Sequence, residues 1–310
     1  MAVPQLRAPT QRGWSMIEPP ASLTPAQVVA PEIGSLEVVD VARAHEPERY
    51  LAATLAAEPH RPALIALAAF AADLVRISHT VTQPILGEIR LQWWRDNLDI
   101  IDRGGRAGSP IADALAPAIT SYKLPLPLLV AMTEARAFDL YDDPMPDEPS
   151  LAGYLSKTEA IPFELALRIL GVAAQPAASL AISAGRAFGL TRLLAELPRH
   201  LAAGRVPLPL SIINEHGISP ASLREGGDLA LLRPLITHLT REVSTEIAML
   251  RPRIAALSRQ QRVALLPLAV LSPYLKAIER PLRNPGRDVA SLTPLTRAWR
   301  VVAAHILGRI

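Results

Sequence analysis

The chain has 310 residues, 32 Lys and Arg against 29 Asp and Glu for a formal charge of +3, and half of its residues are apolar, which excludes a disordered chain and allows one large or two ordinary cores. The absence of cysteine excludes a disulfide framework, a thiolate-bound zinc or iron–sulfur centre and a cysteine nucleophile. Aromatic residues make up only 4%, so the core must be built from Ala, Leu, Ile and Val, a composition that favours closely packed helices.

Residues 1–35 read as a flexible Pro-rich leader, because Pro4, Pro9, Pro19, Pro20, Pro25 and Pro31 interrupt every apolar stretch and deny it the order of a secretory signal. Residues 1–17 carry Arg7 and Arg12 and no acid, which also suits an organelle transit peptide, and Met16 is an alternative start. Residues 36–310 are expected to form one domain. Helices are predicted at Val38–Ala44, Arg49–Ala57, Ala63–His79 behind Pro62, and Ile85–Asp102 behind Pro84 and ahead of Gly104 and Gly105. Ile111–Ser121, Pro127–Asp139, Ser150–Leu170, Ala177–Ala203, Leu229–Leu257, Arg259–Arg280 and Pro294–Leu307 continue the helical pattern, and Asp139–Pro149 reads as a loop. No alternating strand pattern and no repeat interrupts it. The longest apolar runs, Ala63–Ala72 and Val263–Leu271, fall short of the roughly 20 residues that span a bilayer.

Twenty-nine of the 32 cations are arginine, the exceptions being Lys123, Lys157 and Lys276, and they read as spread along the chain rather than gathered in a block. That speaks against a nucleic-acid partner and suits an anionic small ligand, although genome composition accounts for it equally well.

Several segments, in a fixed order, carry a resemblance. They are Arg61-Pro-Ala-Leu-Ile-Ala-Leu-Ala-Ala-Phe70, Leu86-Gly-Glu-Ile-Arg-Leu-Gln-Trp-Trp-Arg95, Phe138-Asp-Leu-Tyr141 ahead of Tyr154, and Phe188-Gly-Leu-Thr-Arg-Leu-Leu194 running into Gly204-Arg-Val-Pro-Leu-Pro209. From about Glu46 to Pro209 the sequence resembles the squalene/phytoene synthase superfamily. The resemblance implies a single all-α isoprenoid-synthase-like bundle with a central cavity. Enzymes of that kind condense two prenyl diphosphates, with Mg²⁺ held between phosphate oxygens and two pairs of carboxylates on facing helices.

Here the pattern departs from the family. The first motif's carboxylate positions fall on Val75, Arg76 and His79, and the second's on Glu196 and His200, with Arg192 and Arg199 nearby. No shift of register restores them, because Pro62–Thr82 holds one carboxylate, Asp73, and Ala187–Pro207 holds one, Glu196. Imidazole is a poor magnesium ligand and guanidinium repels the ion, so a three-Mg²⁺ site is not expected, and no cofactor is assigned unless the enzyme alternative holds.

Candidate ligand-binding residues are Arg61, Arg76, Arg192, Arg199 and Arg205, which either converge on a cavity that binds a prenyl diphosphate or another anionic lipid, or lie solvated on helix faces. Glu196 is either a lone metal ligand or the partner of one of these arginines. His79 and His200 are an acid–base pair, a site for a softer metal, or structural. Trp94 and Arg95 are the candidate partner surface, the alternative being core packing by Trp93 with Glu88, Arg90 and Arg95 in surface ion pairs. The acidic stretch Asp139, Asp142, Asp143, Asp147 and Glu148 is a cation site or a solvated cap.

Toward the C-terminus, Leu266-Pro-Leu-Ala-Val-Leu-Ser-Pro-Tyr-Leu275, Glu279-Arg-Pro281 and Arg297-Ala-Trp-Arg300 are similar to the respiratory complex I assembly factor branch of the superfamily, which keeps the fold without an intact aspartate set. That similarity implies a non-catalytic binding or assembly factor for a membrane-associated respiratory complex. It would be cytoplasmic and peripheral to the inner membrane, or in the mitochondrial matrix of a eukaryote. A prenyltransferase using Arg61, Arg205 and Glu196, and a carrier of prenyl chains, are the alternatives.

Overall fold

Alanine and proline shape this structure, the first by letting helices approach and the second by fixing where they begin. The computed structural model describes residues 33–224, 229–280 and 290–310, and the regular structure among these residues is helical throughout. The N-terminal leader lies outside them up to residue 32, and helix α1 (Ile33–His45) begins inside the stretch expected to be leader. Helices α2 (Pro47–Thr54), α3 (His60–Thr80), α4 (Pro84–Asp102), α5 (Pro110–Tyr122) and α6 (Leu126–Ala135) follow. Prolines occupy the first turns of α2, α4, α5 and α6, where a missing N–H costs nothing.

Helix α3 is the hub of the first half. Ala63, Ala66, Ala68, Ala69, Ala71 and Ala72 are buried on it, and their small side chains let α1, α2, α5 and α8 (Ile161–Ile169) pack close. It is long and apolar enough to cross a membrane, contrary to the sequence expectation, but 67% of that stretch is buried inside the fold, as a core helix requires. Phe70 at its centre meets Trp94 of α4 edge to face, ring centroids 4.9 Å apart.

The predicted helix Ser150–Leu170 is three pieces, α7 (Glu148–Leu155), a π-helical turn (Ser156–Ala160) and α8. Pro162 accounts for the wide turn, because its ring has no N–H to give and crowds the carbonyl four residues earlier. Likewise α6 tightens into a 3₁₀ turn (Arg136–Leu140). Arg259–Arg280 divides into a 3₁₀ segment (Gln261–Val270) containing Pro267 and a later helix.

Helix α9 (Ala174–Ala202) is the second hub and lies against the π turn, α8 and α12 (Arg233–Ala255). Gly185 makes the approach to the π turn possible, since a Cβ there would meet the backbone nitrogen and Cα of Ala160 at 2.4 Å. Two short helices not foreseen, α10 (Leu210–Glu215) and α11 (Pro220–Arg224), join the end of α9 and the start of α12 around a second core containing Leu197, Leu208, Ile213 and Leu235. Leu193 and Ile278 pack on both cores and make them continuous. Helices α13 (Leu271–Ile278) and α14 (Pro294–Leu307) complete the chain.

Candidate functional site

Helices α3 and α9 bring the degenerate motif positions to one place. Val75 and His79 from α3, and Glu196 and His200 from α9, line a single cavity of about 190 Å³. Arg192 and Arg205 line it as well, together with Asp139 of the acidic stretch and with Arg136, Tyr154 and Glu159, three residues that the sequence does not mark as binding residues.

The floor of this cavity is a closed charge cluster. Arg49 lies 3.0 Å from Glu46 and 2.7 Å from Glu159, while Arg192 lies 2.6 Å from Glu46 and 3.7 Å from Glu159. Arg136 reaches Asp139 at 3.1 Å and Glu159 at 3.5 Å. The Tyr154 hydroxyl donates to Asp139 at 2.5 Å and accepts from Arg136 at 3.1 Å. Three guanidiniums thus face three carboxylates. The Arg49 guanidinium is also held between the rings of Phe163 and Phe188, 4.6 and 4.8 Å from their centroids. Burial alone would push the Glu159 carboxyl up, but Arg192, Arg49 and Arg136 together hold it below its ordinary value. Burial and the neighbouring Asp139 push the Tyr154 phenol far up, so it is a hydrogen-bond donor and never a phenolate at neutral pH.

The rim is different. His79 and His200 are both held below the ordinary imidazole range, first by burial and then, at His79, by the charge of Arg199. At His200 the Glu196 carboxylate, 3.7 Å away, pulls the other way without winning. Glu196 is committed to Arg199 at 2.6 Å, so it is the partner of an arginine. Among the described residues Arg205 makes no ion pair, and it is the cavity's uncompensated cation.

The five candidate arginines therefore separate. Arg192 and Arg205 reach the cavity; Arg199 stands beside it with Glu196. Arg61, at the start of α3, donates to the Ala56 carbonyl at 3.0 Å and pairs with Glu58. Arg76 turns away to Asp73 at 2.8 Å. Neither lines the cavity, because the α3 face that points there runs through Val75 and His79. In the acidic loop, Asp147 caps α7 by accepting from the Ser150 N–H, Asp139 belongs to the charge cluster, and Asp142 and Asp143 stand exposed at the cavity mouth.

Trp94 cannot be a partner anchor. It is fully buried, and its indole Nε1 donates to Asp73 at 2.9 Å. The exposed indole is the adjacent Trp93, at 39%. Arg95 folds back onto Gln92, at 2.5 Å, and Glu88 accepts from the Tyr141 hydroxyl rather than pairing with an arginine.

Magnesium does not fit this donor set. Among the described residues no three Asp, Glu or His side chains are grouped to hold a metal ion. Glu159, Asp139 and Glu196 each already face a guanidinium. The arginine–carboxylate pairs of the floor escaped the sequence because Arg49 and Glu159 are 110 residues apart. The available signal was Glu159 itself, an acid set between α7 and the apolar start of α8, which needs a partner once buried.

The chain is similar to proteins of two kinds. It is 25% identical over 242 residues to complex I assembly factor 6 of Bos taurus, spanning 78% of this chain and 73% of that protein. It is 26% identical over 210 residues to the phytoene synthase of Thermus thermophilus, spanning 67% and 69%. Among solved structures, squalene synthase HpnC from Alicyclobacillus acidocaldarius superposes with a TM-score of 0.65 at 17% identity, over 87% of this chain and 92% of the other. A dehydrosqualene synthase in complex with ligand superposes with a TM-score of 0.69 at 15% identity, over 87% and 96%. The sequence profile of squalene/phytoene synthase matches residues 42–299, and the chain belongs to that family.

Proposed function

We propose that this protein keeps the synthase fold without prenyl diphosphate condensation and serves as an assembly factor for a respiratory complex, at or near the membrane that holds it. The observation that carries this reading is the closed charge cluster. A diphosphate-ionising site presents carboxylates to Mg²⁺, whereas here Glu46, Glu159, Asp139 and Glu196 are neutralised by Arg49, Arg136, Arg192 and Arg199, and Asp142 and Asp143 stand exposed at the mouth rather than on the facing helices. Removing one well-placed charge stabiliser typically costs about 10²–10³ in rate, and here the α3 pair is absent altogether. The likeness to assembly factor 6 supports the assembly role, and in a eukaryotic cell that role belongs to the mitochondrion.

Incubation of the full chain with farnesyl or geranylgeranyl diphosphate, with and without Mg²⁺ or Mn²⁺, tests the loss of catalysis. No diphosphate release is expected; metal-dependent release with a condensed product overturns the reading in favour of a prenyltransferase. Disruption of the gene in its own organism tests the assembly role, with complex I resolved on native gels. Accumulation of subassemblies is expected, and unaltered complex I overturns it. Protection of the fold against heat by either diphosphate, without release, identifies a carrier, with Arg205 as its cation.

A further inference from the structure

Helix α14 carries a surface that the cavity does not use. Leu295, Trp299 and Ile306 on it are 79, 68 and 67% exposed, while Val301 and Ala304 on its other side are buried against the Gln261–Val270 segment and α2. Steps of four, three and four residues, from Leu295 through Trp299 and the half-buried Val302 to Ile306, place these side chains in one stripe. The helix is apolar on two sides, one turned inward and one outward. Thr293 caps its start, and Gly308, at φ 65°, ends it with a carbonyl that accepts from Arg262.

The C-terminal sequence that carries the stripe is strongly cationic, and the carboxylate that reaches α14 is the buried Glu48 of α2, 3.4 Å from Arg297. After Glu246 the sequence holds eleven Lys and Arg against two carboxylates, a balance of +9, while the preceding residues hold 21 against 27, a balance of −6. No acid lies between Ala290 and Ile310. Arg300 and Arg309 are exposed beside the stripe, and Arg251, from the end of α12, donates to the Ile310 carbonyl at 3.1 Å.

An outward Trp and aliphatic stripe flanked by exposed guanidiniums, on a segment that itself carries no carboxylate, matches the layers of an anionic bilayer surface: acyl chains, interface and phosphates. We propose that α14 docks this protein on an anionic lipid bilayer, with Leu295, Trp299 and Ile306 entering the headgroup boundary and Arg300, Arg309 and Arg251 meeting lipid phosphates. The helix lies in the interface rather than across it. This inference does not depend on whether the protein assembles a complex or turns over a substrate.

Flotation of the full chain with vesicles tests it. Retention on phosphatidylcholine and phosphatidylglycerol in equal parts is expected to exceed retention on phosphatidylcholine alone by about tenfold and to fall as salt is raised. Trp299→Glu and Leu295→Glu, both at exposed positions, are expected to lose that retention with unchanged helical circular dichroism. Trp93→Ala, which removes the exposed indole of α4, is expected to keep it. Brominated acyl chains should quench part of the tryptophan emission of the wild type, and Trp299→Phe should abolish that quenching. Equal retention on neutral vesicles, or undiminished flotation of Trp299→Glu, overturns the proposal. So does failure of the wild type to float; if Trp299→Glu then converts a dimer to a monomer, the stripe is a protein contact instead.

Discussion

The indole Nε1 of Trp94 donates to Asp73 across 2.9 Å, and this bond joins α4 to α3 at the level of the cavity. Arg76 takes the other oxygen of the same carboxylate at 2.8 Å. The sole carboxylate of α3 is thereby turned away from the cavity and consumed in helix packing. An acid retained within a motif region is, in this chain, a structural group.

Trp94→Phe keeps an aromatic ring against Phe70 but takes the hydrogen bond from one oxygen of the buried Asp73 carboxylate, while Arg76 keeps the other. Stability should fall by about 1–3 kcal/mol, the cost of a buried polar group losing its partner. Trp93→Ala removes a ring that is 39% exposed, and its cost should stay near 1 kcal/mol or below. Urea denaturation of the two variants checks this, and equal losses would show that the Asp73 bond contributes nothing.

Much of the fold was legible because prolines and glycines mark the helix ends. Pro84 and Gly104 bracket α4, and Pro294 opens α14 as expected. What failed was continuity: Pro162 and Pro267 do not stop the chain turning but convert it to π or 3₁₀ geometry, and helical periodicity does not distinguish these. The exchange of Trp93 for Trp94 is an error of phase, since neighbours on a helix point about 100° apart and only the position of Asp73 decides which faces inward. At the site, Val75, His79, Glu196 and His200 could be located by motif register. The compensation of Arg192 by Glu46 could not, because those partners are 146 residues apart and each looks like an ordinary helix charge.

Glu159→Gln removes one of the three carboxylates that balance Arg49, Arg136 and Arg192. The uncompensated buried guanidiniums should cost about 3–5 kcal/mol. The pH dependence follows from the sign of the shift. The folded carboxyl lies below its unfolded value, so its stabilisation is present above the ordinary carboxylate range and is lost as pH falls through it. Thermal melts between neutral and acidic pH should therefore slope less steeply in Glu159→Gln than in the wild type. An unchanged slope would mean that the acid sensitivity arises elsewhere.

His79 and His200 predict a second slope nearer neutrality. Burial lowers both below the ordinary 6.5, so between that value and their folded values the unfolded chain binds more protons than the folded one. Their contribution is fully present above pH 6.5 and declines as pH falls below it. Proton NMR of the imidazole resonances should show both rings neutral at pH 7 and titrating below 6.5. A diphosphate bound beside them would add negative charge and raise both, so a titration with inorganic pyrophosphate reports cavity occupancy independently of turnover.

Gly185 and Gly189 separate two effects that act in opposite directions. Glycine in a helix interior costs about 1 kcal/mol relative to alanine, so either Gly→Ala change would stabilise α9 if nothing stood nearby. At Gly189 the new Cβ would meet Leu155 Cδ2 at 2.6 Å, the movable end of a side chain, and Glu159 Cγ at 3.1 Å, which needs to give by only a few tenths of an ångström. A rotamer change there costs about 0.5–1.5 kcal/mol, and Gly189→Ala should remain within about 1 kcal/mol of the wild type. At Gly185 the Cβ would meet backbone atoms of Ala160 at 2.4 Å, and these can withdraw only if the π turn and α9 part. Overpacking of this kind costs about 1–3 kcal/mol and should exceed the gain in propensity, leaving Gly185→Ala the less stable by about 2 kcal/mol. Because parting α9 from the π turn also draws Arg192 from Glu159, the variant should lose part of the acid-side slope that Glu159→Gln removes. Denaturant midpoints and the pH profile together decide the matter: a Gly185→Ala protein as stable as Gly189→Ala, with its slope intact, would mean that the glycine does not set the distance on which the charge cluster depends.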